Sequence, residues 1–133
     1  MAQDPQLNEF AQQFLKTYYT ILDGPADSRA GIAQLYNDAC QMTYEGQKFD
    51  GKNAVAAKFA SLSSIASMVH DITSFDVQMV NEATIMIAVL GQFKTNDQEH
   101  ALGFMQTFLV KGEGGSFTII DDIYRLALFN NVG

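Results

Sequence analysis

Thr84-Ile85-Met86-Ile87-Ala88-Val89-Leu90-Gly91-Gln92-Phe93-Lys94 is the stretch on which the fold turns. Alternate residues of a strand point to opposite faces. One face therefore carries Ile85, Ile87, Val89 and Phe93, and the other Met86, Ala88 and Leu90, so neither is built for water. Leu102 to Val110 repeats the pattern, with Phe104, Phe108 and Val110 opposite Met105 and Leu109. A sheet apolar on both faces needs cover on both. Helices of the same chain can supply one cover, and a second copy of the chain is the simplest source of the other. The six methionines can alternatively serve as filler in an irregular core.

Moving outward from that stretch, the rest of the C-terminal half also reads as strand. Met68 to Met79, Thr84 to Lys94, Leu102 to Val110 and Phe117 to Leu128 are separated by Val80-Asn81-Glu82, by Thr95 to His100 and by Lys111 to Ser116. Short connections between consecutive strands predict an antiparallel meander. Toward the N-terminus the period changes. Leu7, Phe10, Phe14, Leu15, Tyr18, Ile21 and Leu22 recur at three- and four-residue steps, which predicts a helix starting at Asp4-Pro5 and ending at Asp23-Gly24-Pro25. A shorter helix follows, capped by Asp27 or Ser28, with Ile32, Leu35 and Tyr36 on one side. Met42 and Tyr44 alternate with polar neighbours and turn at Glu45-Gly46-Gln47 into Lys48-Phe49, giving two short strands. Val55, Phe59 and Leu62 mark a third helix. Three helices in the N-terminal half ahead of a run of antiparallel strands define an α+β fold.

The chain has 133 residues, 47% of them apolar and 17% charged, which fits one domain over 1–133. No apolar run approaches the roughly 18 residues of a membrane span, so no membrane insertion is expected. MAQDPQLNEF lacks a basic patch followed by an apolar stretch, so no secretory signal is expected. A single cysteine, Cys40, forms no internal disulfide and suits a reducing compartment. With 15 acidic against 8 basic side chains and a net charge of −7, nucleic acid is a poor partner and a basic protein surface a better one.

Few residues stand out chemically. His70 and Asp71 fall on opposite faces of a strand, which excludes a local acid–base pair. His70 is read as hydrogen-bonded at the edge of the core or as lining a cavity near another carboxylate. His100 lies in a polar loop and is expected to be solvated. Two histidines and one cysteine without ligand spacing imply no metal and no cofactor. Asp121-Asp122 interrupts the last strand, with the two side chains opposed. The pair is read as an exposed rim pair or a partner for Arg125, with a carboxylate inside the fold as the alternative. The glycine-rich Lys111 to Ser116 opens no helix and is a hairpin turn rather than a phosphate cradle. No catalytic motif is present, so catalysis has no sequence signal of its own. Tyr44-Glu45-Gly46 and Asn96-Asp97-Gln98-Glu99 lie at turns between sheet elements. Solvated carboxylates there are either ordinary turn residues or a rim that meets Lys and Arg on another protein, with Tyr44 beside an apolar anchor.

The segments Phe14-Leu15-Lys16-Thr17-Tyr18-Tyr19, Met42 to Gly51, Val89-Leu90-Gly91-Gln92-Phe93-Lys94 and Tyr124 to Asn130 resemble the nuclear transport factor 2 family, in order and over essentially the whole chain. The resemblance implies a cone-shaped fold with a strongly curved sheet, and a homodimer joined through the sheets. It implies a nuclear import carrier of the small GTPase Ran in its GDP-bound form that also binds phenylalanine-glycine repeats of nuclear pore proteins, and not an enzyme, so no catalytic residue is expected. Such a carrier resides in cytoplasm and nucleus and concentrates at the pore. Carried over by position, Tyr44, Glu45, His70, Asp97 and Glu99 form the Ran site, with the acidic loop one residue longer than the family's. Leu7 stands where the family uses an aromatic for repeat binding, and Ile123 at a core position of the dimer contact. The same cone also hosts small-molecule isomerases and dehydratases, the alternative activity, for which His70 with Asp121 or Asp122 would be the acid–base groups.

Overall fold

The computed structural model describes residues 5–95 and 100–127. Helix α1 spans Pro5–Leu22 and buries Phe14, Leu15, Tyr18, Tyr19 and Leu22 along the apolar stripe expected of it. Pro5 opens the helix, where its missing N–H costs nothing. The expected cap, Asp4, lies outside the described residues. The helix ends where Asp23 and Gly24 donate back to Tyr19 and Ile21. The next segment, Ala26–Leu35, winds as a 3-10 helix that follows Pro25, so Asp27 and Ser28 fall inside its first turn and do not cap it. Tyr36, expected on that helix, instead opens strand β1. The tighter winding accompanies Arg29, whose fully buried guanidinium donates to the carbonyls of Leu22 (2.9 Å), Leu62 (2.8 Å) and Ile65 (2.5 Å). This side chain ties the end of α1 to the segment after the second α-helix. Its outer nitrogen has no partner among the described residues.

Strand β1 is Tyr36–Tyr44 and β2 Gln47–Asp50; helix α2 is Lys52–Ala60, followed by a 3-10 turn at Ser61–Ser64. Strands β3 (Met68–Met79), β4 (Thr84–Thr95), β5 (Leu102–Glu113) and β6 (Ser116–Ala127) match the four predicted segments, the last two beginning or ending a few residues differently. They form one curved, unclosed sheet in the order β2-β1-β6-β5-β4-β3. One pairing departs from the antiparallel expectation: β1 and β6 run parallel, Met42 beside Asp122 and Tyr44 beside Tyr124, so the sheet is mixed. The cause is topological. The chain leaves β2 through α2 to the far edge, and three reversals bring β6 back beside β1 in the same direction.

The three helices cover the inner face. Phe14 and Tyr18 of α1 meet Phe108 edge-on at 5.1 and 4.8 Å. On β4 the inner set Ile87, Val89 and Phe93 is buried, while Leu90 (58% exposed), with Met105 (40%) and Ile123 (48%) of the neighbouring strands, faces outward. The two-sided pattern read from Thr84 to Lys94 thus has one satisfied face and one open apolar face.

Strands β3 and β4 approach closely at Gly91. A Cβ there would lie 2.2 Å from the Asp71 carbonyl oxygen and 2.7 Å from the Phe104 ring, beside the register shift between Ile72 and Ser74. Backbone must move to admit even one methyl group. Gly91→Ala is therefore expected to lower unfolding stability by about 2 kcal/mol, measured by urea denaturation. An unchanged midpoint would show that the strands part freely at this point.

Candidate functional site

At one end of the sheet, β1 turns into β2 through Glu45 and Gly46, whose φ angles of +52° and +84° suit a tight two-residue hairpin. Glycine meets that requirement without strain; Glu45 is held there by its neighbours. Its N–H donates to the Tyr124 carbonyl at 2.9 Å, and its carboxylate Oε1 accepts from the Leu126 N–H. Glu45 is thus half-buried and pinned to β6, with one carboxylate oxygen left for other donors. Tyr44 lies flat on Tyr124, ring centres 4.7 Å apart and planes 8° apart, and Tyr124 lies on Phe104 at 5.6 Å. Burial, with Glu45 and then Asp122 adding to it, pushes the Tyr44 hydroxyl up to about 12, so it remains a neutral donor.

His70 completes this end. Its backbone N–H and its Nδ1 both reach the Asp23 carboxylate, each at 2.7 Å. With Nδ1 donating to Asp23, Nε2 is the acceptor for the Tyr124 hydroxyl at 2.9 Å. The ring lies among Tyr19, Phe93 and Phe104, at 5.1, 4.7 and 4.9 Å. Both readings of His70 hold: it is hydrogen-bonded within the core, and it edges a cleft of about 780 Å³ between α1 and β3. Its carboxylate partner is Asp23, at the end of α1, and no local pattern linked the two.

Asp122 corrects the rim reading. It is 1% exposed and points into the fold, accepting from the Tyr36 hydroxyl (2.5 Å) and from Gln106 Nε2 (2.9 Å). Tyr18 bonds Tyr36 at 2.7 Å, and Tyr19 donates to Gln106 Oε1 at 2.6 Å. Burial raises Asp122 to about 6, even though these donors pull it down. Asp121 lies on the outer face beside Thr43 and Ile123. Among the described residues, neither carboxylate pairs with Arg125.

Tyr44, Glu45 and His70, which the resemblance places in one site, lie together here, and what joins them is Tyr124: stacked on the first, bonded through its carbonyl to the second and through its hydroxyl to the third. Tyr124 belongs to a segment that carries the resemblance and to no local motif. Its available signal was position, two residues from Asp122 and so on the same face of β6. Asp97 and Glu99 lie outside the described residues. Leu7 sits at the other end of the strands, where with Phe10, Phe117 and Val110 it lines an apolar groove of about 280 Å³. Ile123 stands exposed on the outer sheet face, and His100 is exposed as expected.

As chemistry, the arrangement offers a part-exposed aromatic, a fixed carboxylate and a closed throat of rings. Among the described residues no three His, Cys, Asp or Glu side chains gather as metal ligands. Residues 10–126 match the family model of the nuclear transport factor 2 (NTF2) domain. Nuclear transport factor 2 of Oryza sativa subsp. japonica is 35% identical over 117 residues, covering 87% of this chain and 93% of that protein. Probable nuclear transport factor 2 of Caenorhabditis elegans is 35% identical over 135 residues, covering 98% and 100%. The solved structure of nuclear transport factor 2 from Cryptosporidium parvum superposes with a TM-score of 0.82 at 28% identity, covering 96% of this chain and 99% of that one. The chain belongs to the nuclear transport factor 2 family.

Proposed function

We propose that this chain is a nuclear import carrier that docks GDP-bound Ran at the Tyr44–Glu45–His70 end and phenylalanine-glycine repeats of nuclear pore proteins at the Leu7 groove. The observation that supports this reading is the convergence on one ring, Tyr124, of three residues that the resemblance assigns to a single site. Relatives named nuclear transport factor 2 support a nuclear transport role, a nucleocytoplasmic location and a carrier rather than an enzyme. Concentration at the pore would follow from the repeat contacts. Asp97 and Glu99, outside the described residues, are kept in the proposed Ran site on the resemblance alone. An aromatic anchor with flanking basic residues suits this acidic chain: opposite charge speeds encounter, while apolar burial supplies affinity. No helix among the described residues is long and apolar enough to cross a membrane.

The open outer face is the second element of the proposal. Leu90, Met105 and Ile123 form an apolar surface that a second copy would cover, making the carrier a homodimer. Ile123→Glu places a carboxylate at that contact without a partner, and is expected to raise the dimer dissociation constant roughly tenfold or more. Sedimentation velocity at micromolar protein reads this directly, and an undisturbed dimer would remove Ile123 from the interface.

The carrier reading is tested by pull-down with Ran loaded with GDP or with GTP. Selective retention of the GDP form supports it. Equal capture of both forms, or of neither, refutes it.

A further inference from the structure

Lys58 stands in the last turn of α2, where a cation meets the negative end of the helix. Solvation alone would satisfy it there. Its ammonium instead lies 4.7 Å from the centre of the Tyr44 ring and 5.7 Å from that of Phe49. Among the described residues no carboxylate pairs with it, so aromatic faces are its partners. Tyr44 is thereby covered on both sides, by Lys58 outside and by Tyr124 within. The rings deeper in the throat, Phe93, Phe104 and Tyr124, are buried around His70 and present almost no surface to a visitor. Tyr44 and Phe49 are only partly buried. They offer an incoming apolar group a surface at the β1–β2 side of this end, and Lys58 already occupies it.

We propose that Lys58 is a specificity-determining lid on this mouth: it holds the Tyr44–Phe49 surface in the free protein, yields it to a neutral aromatic anchor, and disfavours a cationic one. The physics is competition. A neutral ring replaces a surface cation–π contact with apolar burial of comparable or greater worth, and the freed ammonium returns to water on a flexible stem. A cationic anchor competes for the same ring faces and is also repelled. Basic side chains of a partner are therefore steered to the Glu45 flank and kept off Tyr44. The identity of the partner rests on the carrier reading; the placement of Lys58 does not.

Two probes separate these points: p-cresol as the neutral ring and benzylamine as the cationic one, titrated against the whole chain by NMR with the signals of Tyr44, Phe49 and Leu126 as the readout. Lys58→Ala is expected to bind p-cresol roughly two- to fivefold more tightly than the parent chain, the equilibrium equivalent of a surface cation–π contact. It should also admit benzylamine, which the parent chain binds less well. Lys58→Arg, which keeps the cation on the ring, should behave as the parent chain toward both. Equal affinities of parent and Lys58→Ala for p-cresol overturn the proposal, as does binding of neither probe at this end. The same variants with GDP-bound Ran should follow the p-cresol order. If the probes follow that order and Ran-GDP is not captured at all, the carrier reading fails and the lid stands.

Discussion

Glu45→Lys is expected to weaken binding of GDP-bound Ran at least 100-fold, measured by calorimetry, while leaving the sedimentation of the carrier unchanged. Truncating one partner of a close interfacial charge pair costs on the order of 2–5 kcal/mol, and reversing its sign adds repulsion. The geometry imposes a control. Glu45 does two things: it presents a carboxylate at the rim, and its Oε1 accepts from the Leu126 N–H at the end of β6. Glu45→Gln keeps a carbonyl oxygen for that N–H and removes only the charge. If the rim reading is right, Gln weakens binding roughly tenfold and Lys far more. If Gln binds as tightly as the parent and only Lys fails, Glu45 acts by anchoring the strand end, and its place in the Ran site is lost. Sedimentation is expected to be unchanged in either case, because Glu45 lies at the mouth and not on the outer face that carries Ile123.

Local patterns carried the elements well, because what they encode is local. The stripe along α1 and the alternation in β3 to β6 each depend on neighbours within a few residues, and the observed spans follow them closely. The parallel β1–β6 pair left no such mark. Its partners, such as Met42 and Asp122, are brought together by the path of the intervening chain, and no composition rule reports a path. Similar reasons explain the site. Tyr44-Glu45-Gly46 was legible as a turn because glycine and a short polar side chain declare one. The carboxylate of His70 was not, since Asp23 lies 47 positions away and looked only like the end of a helix. Arg29 shows the limit most clearly. A charged side chain is ordinarily placed outside, yet here three backbone carbonyls from two separate segments receive it, and carbonyls are identical at every position of a sequence.

Asp122 was misplaced for a related reason, and its burial gives the chain a pH dependence in the acid range. Its donors, Tyr36 and Gln106, come from β1 and β5, and without them a carboxylate in a strand belongs at a rim. The groups that face it are all uncharged at neutral pH: Tyr18 and Tyr19 from α1, Tyr36, Cys40 and Tyr44 from β1, Gln106 from β5 and Tyr124 from its own strand. With no cation facing it among the described residues, burial wins over hydrogen bonding and raises the group to about 6. An acid raised in the folded state binds its proton more tightly there than when unfolded, where it titrates near 3.9. Protonation therefore favours folding. The contribution is fully present below about pH 4 and is lost as pH rises through about 6, a total of about 3 kcal/mol by linkage. Other carboxylates titrate over the same range, so the measurement is a difference. Relative to Asp122→Asn, whose amide does not titrate, the parent chain should gain about 1.4 kcal/mol in urea denaturation between pH 7 and pH 5 at fixed protein concentration. A difference that stays flat over that interval would mean that Asp122 keeps an ordinary carboxylate's affinity for protons despite its burial. Tyr36→Phe sharpens the test: removing a donor that stabilises the ionised form must move the window to higher pH. A window that moves lower would show that the hydroxyl, rather than the carboxylate, governs the ring of hydrogen bonds joining α1, β1, β5 and β6.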